Sequence, residues 1–403
     1  MTLHSPALTR FQESVLFIAA IICLILFMLP GLGLFCHQSD ILANENRKIS
    51  PFPPHATMAD WMGFPQAFEA YFADRFAFRQ PLTRVHHQIL VRLFHRSPSS
   101  QVLIADNGWL FLQGPQGNAI VDLYHRNIKP FSEKEISIMH DEMTRRRQWV
   151  ESWGGKAIFV LVPEKEAIYP ERLPDIFQKQ ANPGSRYDQW TEIFAKDPSL
   201  AYIDLRPALL GGKSQGLLYF LGDSHWNSDG AYIGYSALVN SLQQWFPAVS
   251  LVARGEKFEG QSFQGGLARM LAVGNRFDEI NPANYINPLD GTLMKCARSV
   301  PSISDGVLIP KKSEPIVYEC NNTNLPSAVL IRDSMANQWL QWLPDNFRRF
   351  VVMYNWCPAA KVIEQERPDV VIFENAGRNL DQFLSVHLEF DSVSNRSHFT
   401  WEH

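Results

Sequence analysis

The stretch Ala157-Ile-Phe-Val-Leu-Val-Pro-Glu-Lys-Glu166 decides the fold. Its first six residues are all apolar, which is typical of a strand that is buried on both faces of a sheet. Pro163 ends the apolar run, and three charged residues follow it. Because α/β proteins bind ligands beyond the carboxyl ends of their strands, the stretch predicts a buried strand that leads to a polar edge.

Four further apolar runs of strand length follow, at residues 201–205, 328–331, 350–354 and 370–373. Helical patterns separate several of them, and alternation of strand and helix is typical of a parallel sheet. We therefore predict an α/β fold in which helices cover both faces of a parallel sheet. Residues 247–320 interrupt this alternation of strand and helix, because they are rich in Gly, Asn and Pro. We interpret them as a long insertion.

Two local patterns place the start of this domain. Residues 101–112 predict a β-hairpin, because Asn107-Gly108 suits a tight turn that needs positive φ. Ser132 and Glu135 have the spacing of a capping box, which predicts a helix that runs to about residue 152. The arginines at 145–147 within it form either a solvated face or an anion site.

Composition excludes some functions and leaves most open. The chain has 403 residues, 19% of them charged, and a formal net charge of -4, so it offers no basic face for nucleic acid. Its five cysteines include no Cys-x-x-Cys pair, and no histidine cluster has zinc spacing, so neither a metal nor a cofactor is indicated. One disulfide, between Cys296 and Cys320, is compatible with this odd count.

One long uncharged segment lies near the N-terminus of the chain. Val15–Phe35 is apolar and long enough to cross a bilayer as a helix. A cleaved signal peptide is the alternative, but the run is longer than usual and no A-x-A-like site follows it. We therefore predict an uncleaved anchor, followed by a Pro-rich linker and by aromatic residues at helical spacing from Trp61 onward.

An acid and an imidazole lie close together at residues 221–230, Leu-Gly-Asp-Ser-His-Trp-Asn-Ser-Asp-Gly. Asp223 can accept a hydrogen bond from one ring nitrogen of His225 and leave the other nitrogen free to take a proton. Ser228 is the expected N-cap of the helix that follows. The alternative is a polar turn that only caps this helix.

A candidate nucleophile follows about a hundred residues later. The apolar run that begins at Ala328 stops at Arg332-Asp333-Ser334 and gives way to Trp and Leu residues at helical spacing. Ser334 would then stand at a strand-to-helix turn, where free N–H groups favour a developing oxyanion. The alternative is that Asp333-Ser334 forms an ordinary N-cap.

These motifs together resemble the SGNH-hydrolase-like polysaccharide O-acetyltransferase family, which includes the alginate acetylation proteins AlgJ and AlgX. The chain is more similar to the membrane-anchored AlgJ type. The resemblance rests on Asp-x-His-Trp at 223–226, on the Asp-Ser turn, and on further matching segments at 45–47, 68–79, 108–111, 162–165 and 204–206.

The resemblance implies a catalytic triad of Ser334 as nucleophile, His225 as base and Asp223 as orienting acid. It also suggests Lys165 and Arg332 as substrate-binding residues, although ordinary ion pairs would explain both. The chain departs from the family near its end, where Gly377 takes the place of an expected acidic residue before an arginine.

The implied domains are a cytoplasmic tail (1–14), a transmembrane anchor (15–35), a linker with an amphipathic helical segment (36–100), an SGNH-like catalytic domain (101–385) and a C-terminal tail (386–403). The implied protein is a single-pass inner-membrane enzyme. Its periplasmic domain would move acetyl groups to hydroxyls of an exopolysaccharide. Its partners would be that acceptor and a multipass membrane acyltransferase that supplies acetyl groups. The alternatives are a carbohydrate acetylesterase with the same triad, or a non-catalytic polysaccharide-binding subunit of an export complex.

Overall fold

The computed structural model describes residues 15, 17–18, 20–21, 50–54, 57–75, 79–113, 121, 125–182, 184–257, 262–280, 285–286, 296–300, 314–354, 360–391 and 396–401. They divide into two compact units. The smaller unit comprises residues 1–98 and 269–276, and the larger comprises residues 99–268 and 277–403.

The described residues of the smaller unit include helices α1 (Met58–Arg75) and α2 (Arg79–Leu93). Aromatic rings stack along α1, with Phe64 between Trp61 and Phe68. Most of the predicted anchor at 15–35 lies outside the described residues. Within the part that is described, no helix is both long and apolar enough to span a bilayer.

The larger unit contains the remaining helices and the strands. Its helices are α3 (Glu133–Glu151), α4 (Lys165–Ile168), α5 (Asp175–Gln178), α6 (Arg186–Lys196), α7 (Arg206–Gly212), α8 (Ser228–Leu242), α9 (Gly266–Leu271, which extends into the smaller unit), α10 (Ala360–Glu366) and α11 (Gln382–Ser385). Its strands are β1 (Val102–Ile104), β2 (Leu110–Leu112), β3 (Lys156–Val162), β4 (Tyr202–Asp204), β5 (Glu256–Lys257), β6 (Ser262–Phe263), β7 (Glu279–Ile280), β8 (Tyr285–Ile286), β9 (Arg298–Val300), β10 (Ile316–Glu319), β11 (Ser327–Arg332), β12 (Arg349–Tyr354), β13 (Val370–Ala376), β14 (Val386–Asp391) and β15 (Arg396–Trp401).

Among the described residues, seven strands form a central sheet in the order β4-β3-β13-β11-β12-β10-β9. The first five run parallel, as predicted, but β10 is antiparallel to β12 and β9 is antiparallel to β10. The prediction of a wholly parallel sheet is therefore wrong at this edge. Only residues 320–326 join β10 to β11, which is too short for the helical crossover that a parallel connection requires.

Both faces of the sheet are covered, as the apolar strand sequences indicate. Successive side chains of a strand point to opposite faces. Ile158 and Val160 therefore lie in one hydrophobic cluster, with residues of α8, whereas Phe159 and Leu161 lie in the other, with residues of α3 and α6. The structure thus has the mixed α/β architecture expected of an SGNH-like fold.

Several local predictions are confirmed. β1 and β2 form the expected hairpin, and Asn107 has a φ of 55° in its turn. Ser132 and Glu135 make both hydrogen bonds of a capping box at the start of α3. Cys296 and Cys320 form a disulfide.

Two local predictions are wrong. The N-cap of α8 is Asn227 rather than Ser228, because the Asn227 side chain accepts hydrogen bonds from the N–H groups of residues 229 and 230. The arginines of α3 are not all solvated, since Arg146 is buried between Glu142 and the carbonyl of Val386. A single helical turn thus carries both exposed and buried arginines.

Candidate active site

Three side chains that are far apart in the sequence form a continuous hydrogen-bonded chain. His225 Nδ1 lies 2.7 Å from Asp223 Oδ1, and His225 Nε2 lies 2.7 Å from Ser334 Oγ. About a third of the His225 side chain is exposed, whereas Asp223 is buried. The acid is thus enclosed, and the imidazole and the hydroxyl stand at the surface of the larger unit.

The sheet and one helix bring these residues together. Ser334 follows the carboxyl end of β11 and precedes a 3₁₀-helix at Met335–Gln341, where the sequence predicts a helix. His225 lies just before α8. The buried Trp226 indole donates to Met335 O at 2.8 Å. This hydrogen bond links the loop that carries Asp223 and His225, the acid loop, to the turn that carries Ser334, the serine turn.

The Asp223 carboxylate is held by backbone as well as by the imidazole. Its Oδ1 accepts the N–H of His225, and its Oδ2 accepts the N–H of Gly266 at 2.5 Å. Burial acts to raise the pKa of Asp223, but the hydrogen bonds and the charge of His225, with these two N–H groups, lower it well below its ordinary value. The acid is therefore ionised and oriented at neutral pH.

A glycine permits this close approach. A Cβ on Gly265 would lie 2.2 Å from Gly222 O and 2.9 Å from Asp223 Cβ, so a side chain at this position would push the acid loop away. Gly265 and Gly266 both belong to the segment that the sequence marks as an insertion. This irregular segment therefore forms part of the site.

Lys165 also holds the loop that carries Asp223. Its ammonium donates to the carbonyl oxygens of Leu110, Leu221 and Asp223 at 2.7, 2.7 and 3.1 Å. Burial lowers the pKa of Lys165 to about 7, although nearby carboxylates, Glu279 first, act to raise it.

Glu279 holds the same loop through its N–H groups. Its carboxylate accepts the N–H groups of Leu221 at 2.8 Å and Gly222 at 2.7 Å. Burial raises the pKa of Glu279, and these two N–H groups act against that rise. The carbonyl oxygens of Leu221 and Asp223 thus accept hydrogen bonds from Lys165, and the N–H groups of Leu221 and Gly222 donate to Glu279.

The serine turn has its own supports, which come from β13 and the residues that follow it. Asp333 accepts hydrogen bonds from Met335 N, Ala376 N and Asn379 Nδ2, at 2.8, 2.7 and 2.6 Å. Its own N–H donates to Glu374 Oε2 at 2.8 Å. Burial and the neighbouring Asp333 carboxylate raise the pKa of Glu374 well above its ordinary value, so this environment favours the protonated carboxyl.

The N–H of Ser334 is available to a ligand. Within the described part of the chain, no carbonyl or side chain accepts a hydrogen bond from it. It adjoins the hydroxyl and begins a helical turn, so it can donate to an oxyanion that forms on a carbon bonded to Ser334 Oγ.

The two residues suggested for substrate binding are both 2% exposed. Lys165 is bound by the three carbonyls of the hairpin and the acid loop. Arg332 donates to Asp333 O and Asn337 Oδ1, and its guanidinium lies over the ring of Tyr354. These contacts favour positioning roles for both residues over direct contact with substrate.

The segment that departs from the family pattern also reaches the site. Arg378 follows Gly377, and its guanidinium binds Glu164 through Nε at 2.9 Å and Nη2 at 2.6 Å. It also donates to the Ser224 hydroxyl at 2.9 Å. Glu164, at the carboxyl end of β3, thus supplies the carboxylate partner of Arg378. The glycine at position 377 has no carboxylate to offer.

Sequence reasoning singled out the three side chains that the structure brings together, and it missed most of the residues that support them. Gly266, Glu279 and Asn379 carry no local motif, because each acts through a contact with a distant loop. The position of Glu374 at the end of a buried strand is a signal that could have been used. Among the described residues, no group of three His, Cys, Asp or Glu side chains is arranged to hold a metal ion.

About half of the chain matches a known protein family. Residues 102–299 match the family described as ALGX, the SGNH hydrolase-like domain of acetyltransferase AlgX. The resemblance to the AlgJ and AlgX family is confirmed. This match includes Asp223, His225 and Lys165, and it ends before Ser334.

Similar curated proteins carry the name "Probable alginate O-acetylase AlgJ". The chain is 26% identical to the protein from Pseudomonas aeruginosa over 230 residues, which are 54% of this chain and 52% of that protein. It is 21% identical to the Pseudomonas fluorescens protein over 328 residues, 78% and 77% of the two chains. The chain thus spans about half the length of the first of these AlgJ relatives.

Solved structures that align with this chain include two named proteins. The O-acetyltransferase domain of Pseudomonas putida AlgJ aligns with a TM-score of 0.44 at 17% identity, over 73% of this chain and 94% of that one. Bacillus cereus PatB1 aligns with a TM-score of 0.46 at 18% identity, over 70% and 98%.

Proposed function

We propose that this chain is a membrane-anchored periplasmic O-acetyltransferase that moves acetyl groups to hydroxyls of an exopolysaccharide. The observation that carries the proposal is the hydrogen-bonded chain from Asp223 through His225 to Ser334 Oγ. An imidazole that is oriented by a carboxylate and bonded to a hydroxyl is the arrangement that activates a serine. The AlgX-type match supports acetyl transfer as the reaction.

In the first half-reaction, Ser334 Oγ attacks the carbonyl carbon of an acetyl ester as His225 Nε2 takes its proton. The ionised Asp223 stabilises the imidazolium, and Ser334 N–H donates to the oxyanion. When the tetrahedral intermediate collapses, the carbon–oxygen bond to the leaving alcohol breaks, and His225 gives that alcohol its proton. The product is an acetyl ester of Ser334.

In the second half-reaction, a sugar hydroxyl attacks the acetyl-enzyme while His225 takes its proton. The bond to Ser334 Oγ breaks, and the serine recovers the proton from the imidazole. Transfer requires that the sugar hydroxyl reacts faster than water at the same carbon. The proposed acetyl source is a multipass membrane acyltransferase, and the proposed acceptor is a polysaccharide outside the cytoplasm.

Ser334→Ala tests this function directly. We expect hydrolysis of a small acetyl ester and transfer of acetyl to an oligosaccharide each to fall by roughly 10³-fold or more, since the nucleophile is lost. Ser199→Ala is the matched control, because Ser199 is exposed and bonds only to neighbouring Asp197. Full activity of Ser334→Ala would refute the mechanism.

The same experiment separates the alternative functions. An acetylesterase with this triad would release acetate and leave the oligosaccharide unmodified, and Ser334→Ala would abolish that release. A non-catalytic polysaccharide-binding subunit would bind the polymer and support its acetylation equally well with Ser334→Ala and His225→Ala.

A further inference from the structure

The second helix of the smaller unit exposes an apolar stripe. The side chains of Leu82, Val85, Ile89 and Leu93 are 56%, 52%, 42% and 71% exposed. Their spacing of three and four residues places them on one face of α2. Val91 is buried, so the helix already packs through a different face. A continuous apolar stripe of this kind on a surface marks a site of association.

The charges of α2 show which partner would suit this stripe. The helix contains Arg79, Arg84 and Arg92 and no acidic residue. Arg84 and Arg92 are exposed. An amphipathic helix with an apolar face and basic residues is typical of segments that lie in the interface of an anionic bilayer.

The neighbouring helix adds a second feature of membrane interfaces. Trp61 and Met62, near the start of α1, are both exposed. Tryptophan is enriched where a protein meets the headgroup region, because its ring is amphipathic. Since α1 and α2 belong to the same compact unit, this unit carries exposed apolar groups on both of its helices.

A lipid surface explains these features better than a second copy of the chain. An isologous contact through the stripe would bring Arg79 and Arg92, which flank it, towards the same residues of its partner, and no acidic residue of α2 would offset their repulsion. Lipid headgroups instead supply negative charge. Residues 36–78 separate the apolar N-terminal run from α2, so an anchored chain would hold α2 close to the bilayer, where even weak interfacial binding suffices.

We propose that the stripe of Leu82, Val85, Ile89 and Leu93 docks α2 on the surface of an anionic lipid bilayer. This proposal goes beyond the acetyl-transfer function and takes from it only the nearby anchor. The docked helix would lie in the plane of the interface, with its apolar side chains among the acyl chains and its arginines at the headgroups.

The test uses the full chain with Ile89→Cys, reconstituted as single copies into lipid nanodiscs. Alkylation of this cysteine is followed by mass spectrometry of its own peptide, so the natural cysteines do not interfere. One set of discs contains only zwitterionic lipid and the other contains phosphatidylglycerol. Glu192→Cys, at an exposed position on α6, is the matched control.

We expect alkylation at position 89 to be at least tenfold slower in anionic than in zwitterionic discs, with position 192 changing less than twofold. Adding Arg92→Gln should reduce the difference at position 89. Equal rates at position 89 in the two lipids would overturn the proposal. So would a slowing that occurs in detergent without lipid and grows with protein concentration, since that result would assign the stripe to a second copy. None of these rates depends on acetyl transfer, so the outcome is independent of Ser334.

Discussion

The two loops that meet at the site are held in different ways. The serine turn is fastened by the adjacent strand of the sheet, through Glu374 and Ala376 of β13. The Asp223–His225 loop is instead fastened by short elements outside the central sheet, through Gly266 at the start of α9 and Glu279 in β7, and by the buried Lys165. The sheet thus fixes Ser334, whereas Asp223 and His225 depend on a segment with little regular structure.

The largest effect is expected where the two loops join. Asp223→Asn keeps the shape of the acid but removes the charge that stabilises a protonated His225. We expect kcat for a small acetyl ester to fall by roughly 10³- to 10⁴-fold. Asp141→Asn is the control, since Asp141 is largely exposed on α3. A loss below about tenfold would mean that the acid does not assist the imidazole.

The contribution of the irregular segment is tested by Gly265→Ala. The added Cβ would meet Gly222 O at 2.2 Å and displace the acid loop. A displacement on the order of 1 Å costs about 10²-fold in kcat, and we expect a loss of that size. Gly211→Ala should be silent, because nothing lies within 4 Å of its Cβ. If Gly265→Ala is equally silent, the segment does not position the acid.

Lys165→Met removes the ammonium that three carbonyls share. We expect kcat to fall by about 10- to 100-fold with little change in KM, because the loss affects orientation of the acid rather than substrate binding. Lys196→Met is the control, since its side chain is 78% exposed. A rise in KM with unchanged kcat would instead support the substrate-binding role that the sequence suggests.

The smallest effect is expected at the serine turn and concerns stability. The pKa of Glu374 is raised in the folded chain, so its contribution to stability is full below the unfolded pKa of about 4.3 and is lost as pH rises through the folded value. Glu374→Gln, which keeps a donor and an acceptor, removes this dependence. The stability of the variant relative to the parent should therefore increase with pH, by about 1.4 kcal/mol for each unit that separates the two pKa values.

Urea unfolding at several pH values measures this difference. Glu192→Gln, at an exposed position on α6, should show no such trend. A stability difference between Glu374→Gln and the parent that stays constant with pH would mean that Glu374 is ionised in the folded chain.

The difference between the two loops also explains which features the sequence could predict. Ser334 and the strand before it follow from a local apolar run and its end, and Asp223 and His225 lie two residues apart, so local patterns were sufficient for all three. The support from Glu279 arises from a contact across more than fifty residues, within a segment whose Gly and Pro content predicts only irregularity. The antiparallel β9 and β10 were missed because short strands in such a segment give no periodic signal.

The surroundings of the two buried charged residues were missed for a related reason. Lys165 and Arg332 follow apolar strands, which is where ligand-binding residues are expected. The sequence does not reveal that three backbone carbonyls already bind Lys165, or that Arg332 already donates to Asp333 O and Asn337 Oδ1. Burial of a charged group depends on how distant loops pack over it, and no local pattern records that packing.

The central claim is that Ser334 carries the acetyl group between donor and acceptor. The most direct test mixes the full chain with an acetyl ester donor, quenches the mixture with acid in the first turnover, and analyses the peptides by mass spectrometry. We predict one added acetyl group on the peptide that contains Ser334, which disappears when an acceptor oligosaccharide is added and is absent in Ser334→Ala. Turnover with no acetyl group on this peptide, or with the group on another residue, would contradict the account.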